Sequence, residues 1–346
     1  MIRVLIVDDS AVSRDLLSRI IESDPDLEVA GVAKDGAEAL EAVAAEKPDI
    51  VLMDVNMPVM DGLEATRRIM ETNPVPVVIQ SATYIPEELK KTFHALEAGA
   101  LAVLEKPRWA DHPDFAHLAA DIIETTKLMS EIKVFKRTAR REPGEGAPAK
   151  REIPSLPGEV RVIAIGTSTG GPIALQTIFA RLTRDIPYSI LVVQHIWEGY
   201  LEEMVEWLGR STGAQVHLAE DGGRLSPGHI YFAPAGRHTG VDRGGRMVFS
   251  DDPPENGVRP SASYLFRSVA EVFGPRAAGV LLTGMGKDGA DGLKVMKERG
   301  SFTIAQDKDS SIVYGMPGEA IKIGAAMHVL SLYEIVDTLA VAGSRK

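Results

Sequence analysis

Short apolar runs alternate with amphipathic stretches along most of this chain, and this alternation limits the possible folds more than any other feature. Five runs in the first third have the length and the Val, Ile and Leu content of buried strands: RVLIV, EVAGVA, DIVLM, VPVVIQ and ALAVLE. Helical patterns such as AVSRDLLSRIIES and GLEATRRIMETN lie between them. Alternating strands and helices form a parallel sheet with helices on both faces. We therefore predict an α/β domain over residues 1–125, with its ligands at the carboxyl ends of the strands.

The alternation stops around residues 133–158 and resumes at about residue 160. The interrupting segment is polar and rich in Pro, Gly and charged residues, which is a linker composition. Its Lys and Arg residues are interrupted by acidic residues and lack interleaved aromatics, which favours a solvated linker over a nucleic-acid patch. We predict a linker over residues 126–158. A second, doubly wound and mostly parallel α/β domain is expected over residues 159–346, with strands VRVIAIG, SILVVQ, HIYFAP, AAGVLLTG and SFTIAQ.

Composition narrows the class of protein. A length of 346 residues fits two domains. The absence of Cys excludes disulfides, thiolate metal sites and cysteine nucleophiles. A net charge of −11 argues against general nucleic-acid binding. The N-terminal MIRVLIVDDS is too short and too acidic for a signal peptide, and no apolar run reaches the roughly 18–20 residues of a membrane span. We expect a cytoplasmic protein that neither inserts into membranes nor binds nucleic acid, and we expect a monomer.

Polar residues close four of the five predicted strands of the first domain: Asp8, Asp9, Asp54, Ser81 and Lys106. A helix cap or a turn explains any one such Asp, but five polar residues at four strand ends favour a shared site. Three neighbouring carboxylates need a cation, and Mg²⁺ fits this oxygen ligand set. A carboxylate beside Mg²⁺ and a lysine can accept a phosphoryl group as an acyl phosphate.

The segments LIVDDS, DVNMPVMDG and EKP resemble the receiver domain of two-component response regulators, over roughly residues 1–125. The resemblance implies a flavodoxin-like fold with a five-stranded parallel sheet, Mg²⁺ as cofactor and a histidine kinase as phosphodonor. Asp54 would be the phosphorylated residue. The implied metal ligands are Asp8, Asp9, Asp54 and the backbone carbonyl of Asn56, and the implied phosphoryl contacts are Ser81 and Lys106.

Two positions depart from the receiver pattern. Val103 lies where many receivers carry Tyr or Phe, and Glu105 precedes the lysine where Thr is common. We expect phosphorylation chemistry to be retained. The departures concern how the phosphate is coupled to the opposite face of the domain.

The segment GTSTG at residues 166–170 matches G-x-S-x-G in a strand–turn–helix context. Such a turn exposes the Ser168 hydroxyl near a helix N-terminus, whose N–H groups can bind an oxyanion. A phosphate-binding P-loop does not fit, because no Lys follows the glycines. Ser, Thr and Gly are also common in any strand-to-helix turn, so the motif alone leaves both a nucleophile and a turn residue open.

Two further strand ends carry the residues that a serine nucleophile needs. His195 follows SILVVQ and could act as the base, and Asp288 follows AAGVLLTG and could orient the imidazole. A turn histidine and a helix-capping aspartate are the ordinary alternatives. The order Ser–His–Asp differs from that of α/β-hydrolases, which would need His328 as the base. The segment AAMHVLSLYE around His328 is more typical of a short strand that leads into the last helix.

The segments AIGTSTGG, VVQHI, RPSASYLF, LLTGMGKDGADG and IAQD…GMP resemble the catalytic domain of chemotaxis protein-glutamate methylesterases, the CheB family, over about residues 160–342. The resemblance implies a phosphorylation-regulated hydrolase that removes methyl esters from glutamate side chains of chemoreceptors, releases methanol and deamidates receptor glutamines. The implied triad is Ser168, His195 and Asp288, and the implied oxyanion hole consists of the Thr169 and Met285 N–H groups.

The same resemblance implies a chemotaxis-type histidine kinase and the cytoplasmic domains of methylated chemoreceptors as partners, and no cofactor for the esterase. One departure lies beside the histidine, where Trp197 and Glu198 replace the family's usual prolines. This loop would lie near the substrate entrance, so the departure concerns receptor preference.

Functions of two other classes are alternatives to an esterase. A transcription factor would need a helix-turn-helix with a basic recognition helix, and the second half has strands throughout. A catalytically inactive docking or adaptor protein in a two-component pathway remains the alternative.

Overall fold

The computed structural model describes residues 1–81, 86–107, 115–132, 134, 153–182, 186–197 and 199–341. The chain divides into two compact units, Met1–Ala149 and Lys150–Lys346. Within the described ranges, no helix combines the length and the apolar character needed to cross a bilayer.

The first unit is a five-stranded sheet flanked by helices. Its strands are β1 (Ile2–Val7), β2 (Leu27–Ala33), β3 (Ile50–Asp54), β4 (Val77–Ser81) and β5 (Ala102–Glu105). Its helices are α1 (Ala11–Glu22), α2 (Gly36–Glu46), α3 (Gly62–Thr72), α4 (Pro86–Ala98) and α5 (Phe115–Ser130). The strands pair in the order β2-β1-β3-β4-β5, and every pair is parallel. This is the predicted flavodoxin-like order.

The sequence explains why these elements form. Strands β3 and β4 are buried along their whole length, as expected for apolar strands covered by helices on both faces. Helices α1, α2 and α3 are each preceded by a residue whose side chain accepts hydrogen bonds from free N–H groups of the first turn. Asp35 accepts from Ala37 at 2.9 Å, and Asp61 accepts from Glu64 at 2.9 Å.

The second unit contains a seven-stranded parallel sheet and a separate hairpin. Its strands are β6 (Val162–Thr167), β7 (Ser189–Gln194), β8 (Gln215–Leu218), β9 (His229–Phe232), β10 (His238–Val241), β11 (Met247–Ser250), β12 (Ala277–Leu281), β13 (Phe302–Gln306) and β14 (His328–Leu330). Its helices are α6 (Gly171–Phe179), α7 (Tyr200–Thr212), α8 (Ala262–Phe273), α9 (Ala290–Glu298), α10 (Met316–Lys322) and α11 (Leu332–Val341). The large sheet has the order β14-β13-β12-β6-β7-β9-β8, and β10 and β11 pair antiparallel. The doubly wound, mostly parallel fold is thus confirmed.

The middle of this sheet is where a site is expected. Strand β6 lies between β12 and β7. The next strand in the chain, β7, is added on one side of β6, and the later strand β12 is added on the other side. Such a switch point opens a crevice at the carboxyl ends of the strands. Helix α8 packs one face of the sheet beneath this crevice through the fully buried Leu265, Phe266 and Val269.

Several observed elements differ from the predicted ones. Strands β8, β10 and β11 and helix α10 have no counterpart among the predictions. The strand predicted over AAGVLLTG is shorter in the structure and ends at Leu281. Helix α5 continues to Ser130, into the predicted linker 126–158, and residues 135–152 of that linker lie outside the described residues. The domain boundaries stay a prediction.

Candidate active sites

The predicted acidic residues of the first unit do come together at the edge of the sheet. Asp8 and Asp54 are buried, Asp9 is exposed, and one carboxylate oxygen of each lies within 4.8 Å of the others. The Lys106 ammonium lies 2.8 Å from Asp8 Oδ2 and 2.7 Å from Asp54 Oδ2. The ends of β1, β3 and β5 therefore form one charged cluster, which we call the acidic site.

Electrostatics distinguish the members of the acidic site. Burial raises the pKa of Asp54 to about 6, although Lys106 opposes this shift. Burial lowers the pKa of Lys106, but Asp54 and Asp8 raise it more, so the net shift is upward. Three carboxylates facing one lysine leave excess negative charge. Their oxygens form the ligand set that a hard cation such as Mg²⁺ prefers, so these residues fit that ion.

Two other predicted residues lie next to the acidic site. The Asn56 N–H donates to Asp54 Oδ1 at 3.4 Å, which directs the loop after β3 toward the carboxylate. Ser81 is buried at the end of β4, and its carbonyl accepts the backbone N–H of Lys106 at 3.1 Å. Lys91 was not among the predicted site residues, and its ammonium donates to Asn56 Oδ1 at 2.7 Å. Only the fold reveals this residue, because it lies within helix α4.

In the second unit, Ser168 directly follows β6, and two neighbouring glycines allow its tight turn. The Ser168 N–H donates to the Thr283 carbonyl at 3.1 Å, which ties the turn to the end of β12. Gly170 has φ +81°, a conformation that other residues rarely adopt. A Cβ on Gly284 would lie 2.8 Å from Ser168 Cβ, so only glycine fits beside the serine. Ser168 itself is half-buried.

His195 and Asp288 form a direct pair. His195 Nε2 lies 3.0 Å from Asp288 Oδ2, with the histidine side chain 15% exposed and the aspartate 4% exposed. A carboxylate only accepts hydrogen bonds, so Nε2 carries the proton. The other ring nitrogen, Nδ1, is then the basic one. This is the reverse of the more familiar triad, in which the carboxylate holds Nδ1.

Asp288 caps a helix, but not the helix that follows it. Its carboxylate accepts from Ala262 N at 2.6 Å, Ser263 N at 3.2 Å and Ser261 Oγ at 2.7 Å, at the N-terminus of α8. Asn256 Nδ2 also donates to it at 3.3 Å. Burial raises the pKa of Asp288, but the bonds with His195, Ser261 and Ala262 lower it more, so it lies below its usual range.

Gln194 connects the backbones of the serine and the histidine. Its amide nitrogen lies 2.9 Å from both the Ser168 and the His195 carbonyls. The His195 N–H donates to the Thr167 carbonyl at 2.9 Å. Among the described residues, the Ser168 hydroxyl forms no hydrogen bond with the His195 imidazole. In enzymes without bound substrate, the hydrogen bond between a nucleophile and its base is often long. Gln194 was missed from sequence, although a polar residue ending a fully buried apolar strand is a usable signal.

The N–H groups predicted to form the oxyanion hole belong to the residues that directly follow Ser168 and Gly284 in the chain. Thr169 follows the serine, and its carbonyl accepts the Thr283 hydroxyl at 2.9 Å. Met285 follows Gly284, whose carbonyl accepts the N–H groups of Gly315 and Met316. Neither the Thr169 nor the Met285 N–H donates to another described residue.

The remaining predicted positions lie apart from these contacts. His328 is on β14, separated from β6 by two strands, and its ring stacks on Phe302 at 4.7 Å. It is therefore not placed to serve Ser168. Trp197 is half-buried after β7, and Glu198 lies outside the described residues. Val103 and Glu105 are both half-buried on β5.

Comparisons with known proteins agree with this architecture. The CheB methylesterase family profile matches residues 163–339, and the response regulator receiver domain profile matches residues 4–113. A protein-glutamate methylesterase/protein-glutamine glutaminase of Geobacter metallireducens is 49% identical over 98% of both chains. One from Syntrophus aciditrophicus is 50% identical over 99% of both.

A solved structure is also similar. The crystal structure of the Thermotoga maritima CheB methylesterase catalytic domain is 35% identical, covers 53% of this chain and 98% of its own, and has a TM-score of 0.51. With family profiles, full-length relatives and fold in agreement, the chain is an enzyme of the CheB methylesterase family, with a response regulator receiver domain ahead of the methylesterase domain.

Proposed function

We propose that this enzyme hydrolyses γ-methyl esters of glutamate side chains on the cytoplasmic domains of chemoreceptors, with release of methanol, and deamidates receptor glutamines. The names of the full-length relatives support this substrate class. The observation that carries the proposal is the His195–Asp288 pair at 3.0 Å, beside a serine held in a strand-to-helix turn. These features favour catalysis over the alternative of an inactive docking protein.

In the proposed mechanism, Ser168 Oγ attacks the ester carbonyl and its proton passes to His195 Nδ1. The Thr169 and Met285 N–H groups stabilise the tetrahedral oxyanion, and one such donor is worth about 10²–10³ in rate. Methanol leaves with the proton from His195, and a water molecule, activated by the same nitrogen, releases the glutamate. Asp288 keeps the proton on Nε2, so that Nδ1 is the nitrogen that takes up and returns a proton in each step.

The proposed control begins at the acidic site. Asp54 accepts a phosphoryl group from a chemotaxis-type histidine kinase. Asp8, Asp9, Asp54 and the Asn56 carbonyl would hold Mg²⁺. Bound Mg²⁺ supplies charge neutralisation for the transferred group. Lys106 and Ser81 contact the phosphoryl oxygens. The receiver domain inhibits the esterase until it is phosphorylated, which is a shift between two populations.

The remaining parts of the proposal concern organisation. The receiver domain spans residues 1–125, the linker 126–158 and the methylesterase domain 159–346. The enzyme works in the cytoplasm as a monomer, and the esterase needs no cofactor. Deleting residues 1–140 is expected to raise basal esterase activity, and an unchanged rate in the folded fragment would contradict inhibition by the receiver.

Methanol release from methyl-esterified receptor membranes tests the chemistry. We expect release by the wild type and none above background by Ser168→Ala. The matched control is Ser211→Ala, which removes the hydroxyl of an exposed serine in the last turn of α7. Wild-type turnover in folded Ser168→Ala would contradict the assignment of the nucleophile.

A further inference from the structure

A small pocket lies beside the candidate base, at the end of β7. It has a volume of about 130 Å³, and His195 and Arg259 both line it. That volume holds several water molecules or one side chain. The remaining walls are largely apolar and include Ile196, Leu201, Ala233, Val258 and Pro260.

Arg259, the arginine that lines this pocket, differs from Arg237 and Arg267 in its partners. Arg237 pairs with Asp251, and Arg267 pairs with Glu255. Arg259 instead donates through Nη1 to the backbone carbonyls of Asp251 and Asp252, each at 3.1 Å. Among the described residues, no carboxylate forms an ion pair with Arg259. It is thus a fixed but uncompensated cation next to the base, in a chain whose net charge is −11.

A guanidinium carries five N–H donors, so the two carbonyls leave Nε and Nη2 available. Two parallel N–H groups match the two oxygens of a carboxylate. The apolar walls suit the methylene part of a side chain, since such surface prefers to leave water. The Arg259 guanidinium and the apolar walls of the pocket are therefore complementary to an acidic side chain, with its carboxylate on the guanidinium and its methylene groups against the walls.

We infer that this pocket is a specificity subsite, in which Arg259 binds an unmodified acidic side chain of the same polypeptide that carries the methyl ester. The inference rests on the proposed esterase function and extends it to substrate selection. Arg259 takes no part in bond breaking. It increases the time that an acidic substrate segment spends near Ser168 and His195.

Peptides with a single glutamate γ-methyl ester test this subsite. Two series differ only in whether the flanking residues are glutamate or glutamine, and kcat/KM for methanol release is measured with the full chain and a small phosphodonor. The wild type is expected to prefer the glutamate series about 10-fold, the size of one partly exposed charge-assisted hydrogen bond. The preference should decrease with added salt, because the pocket is open to solvent.

Arg259→Gln should abolish the preference by lowering kcat/KM on the glutamate series about 10-fold, with the glutamine series unchanged. Arg237→Gln is the matched control: it removes the same charge and also loosens Asp251, but Arg237 does not line the pocket. It should keep the wild-type preference. Arg259→Lys retains the charge without the planar pair of donors and should keep about a third of the preference.

A wild-type preference in Arg259→Gln, or an equal loss in Arg237→Gln, would overturn the inference. Ser168-dependent release that is equal for both series would overturn it as well, while leaving the esterase proposal intact. Release that does not depend on Ser168 in either series would instead contradict the proposed function, and this inference with it.

Discussion

Asp54, the last residue of β3, and Asp288, in the turn between β12 and α9, are both buried carboxylates, yet their pKa values shift in opposite directions. Burial raises the pKa of Asp54 to about 6. Burial also acts on Asp288, but hydrogen bonds with His195 and with the start of α8 hold its pKa below the usual range. Burial alone therefore does not decide the charge of a carboxylate; the donors around it do.

The difference in donors matches a difference in proposed role. Asp54 has Lys106 and one long backbone hydrogen bond, and it faces the like charge of Asp8. A carboxylate of raised pKa is a more basic nucleophile, as a phosphoryl acceptor should be. Asp288 receives donors on both oxygens and stays ionised, as an orienting group should.

The largest expected effect comes from removing the charge of Asp288. In Asp288→Asn the amide has two orientations. One turns its NH₂ toward His195 Nε2 and the Ala262 N–H and removes the acceptor of the imidazole proton, and the other keeps an oxygen there without the negative charge that stabilises the imidazolium. We expect kcat for methanol release to fall about 10⁴-fold. Asp291→Asn is the matched control, because Asp291 is an exposed acid in the first turn of α9. Comparable losses in both variants would show that Asp288 acts only through general charge.

Lys106→Met tests the other carboxylate environment. The substitution leaves Asp8 and Asp54 buried together without their cation, which should destabilise the first unit by about 3 kcal/mol. Added Mg²⁺ should restore part of this loss by neutralising the same carboxylates. Urea unfolding with and without Mg²⁺ measures both effects. An unchanged unfolding midpoint in EDTA would contradict the charge balance described for the acidic site.

Gly284→Ala tests whether the serine turn depends on close packing. A Cβ at this position would meet the flexible side chain of Met316 and would lie 2.8 Å from Ser168 Cβ and 3.0 Å from Ser168 N, so the turn that holds Ser168 must shift. We expect about a 100-fold fall in kcat and about 2 kcal/mol of lost stability. Gly209→Ala, in helix α7, is the control. A Cβ on Gly209 would make an ordinary contact with the Ala214 carbonyl oxygen at 3.9 Å. Full activity of Gly284→Ala would mean that the turn does not constrain Ser168.

The smallest expected effect is the pH dependence of stability that Asp288 contributes. Its pKa is lower in the folded state than in the unfolded state, so its stabilisation is present above pH 4 or so and is lost as the pH falls through the folded pKa. The free energy of unfolding of the wild type should exceed that of Asp288→Asn by about 2 kcal/mol at neutral pH. This difference should become smaller below about pH 4. Urea titrations across this range provide the test, and a gap independent of pH would contradict the shift.

The two sites also differ in how far the sequence predicts them. The acidic site consists of residues that directly follow strands, so strand recognition alone places Asp8, Asp54 and Lys106 at one edge. The serine site depends on contacts between distant segments. Asp288 and Ser261 are 27 residues apart, and no local pattern pairs them. From the sequence, Asp288 could be a cap for α9, the helix that follows it. In the structure it accepts hydrogen bonds from the start of α8 instead.

The missed elements have local physical reasons. Strands β10 and β11 have four residues each, too short for a clear alternation of apolar and polar positions. Helix α10 has seven residues and includes Pro317 and Gly318, which are unfavourable in helices. Long apolar strands such as β6 and β7 were predicted correctly because burial on both faces leaves a continuous apolar run.

The central claim is that phosphorylation of Asp54 controls hydrolysis at Ser168. Its most direct test is methanol release from methyl-esterified receptor membranes by full-length wild type and Asp54→Asn, each with Mg²⁺ and with or without a small phosphodonor. We expect the phosphodonor to increase release by the wild type and to leave Asp54→Asn at its basal rate. Equal stimulation of both proteins, or no stimulation of a wild type that carries phosphate on Asp54, would contradict it.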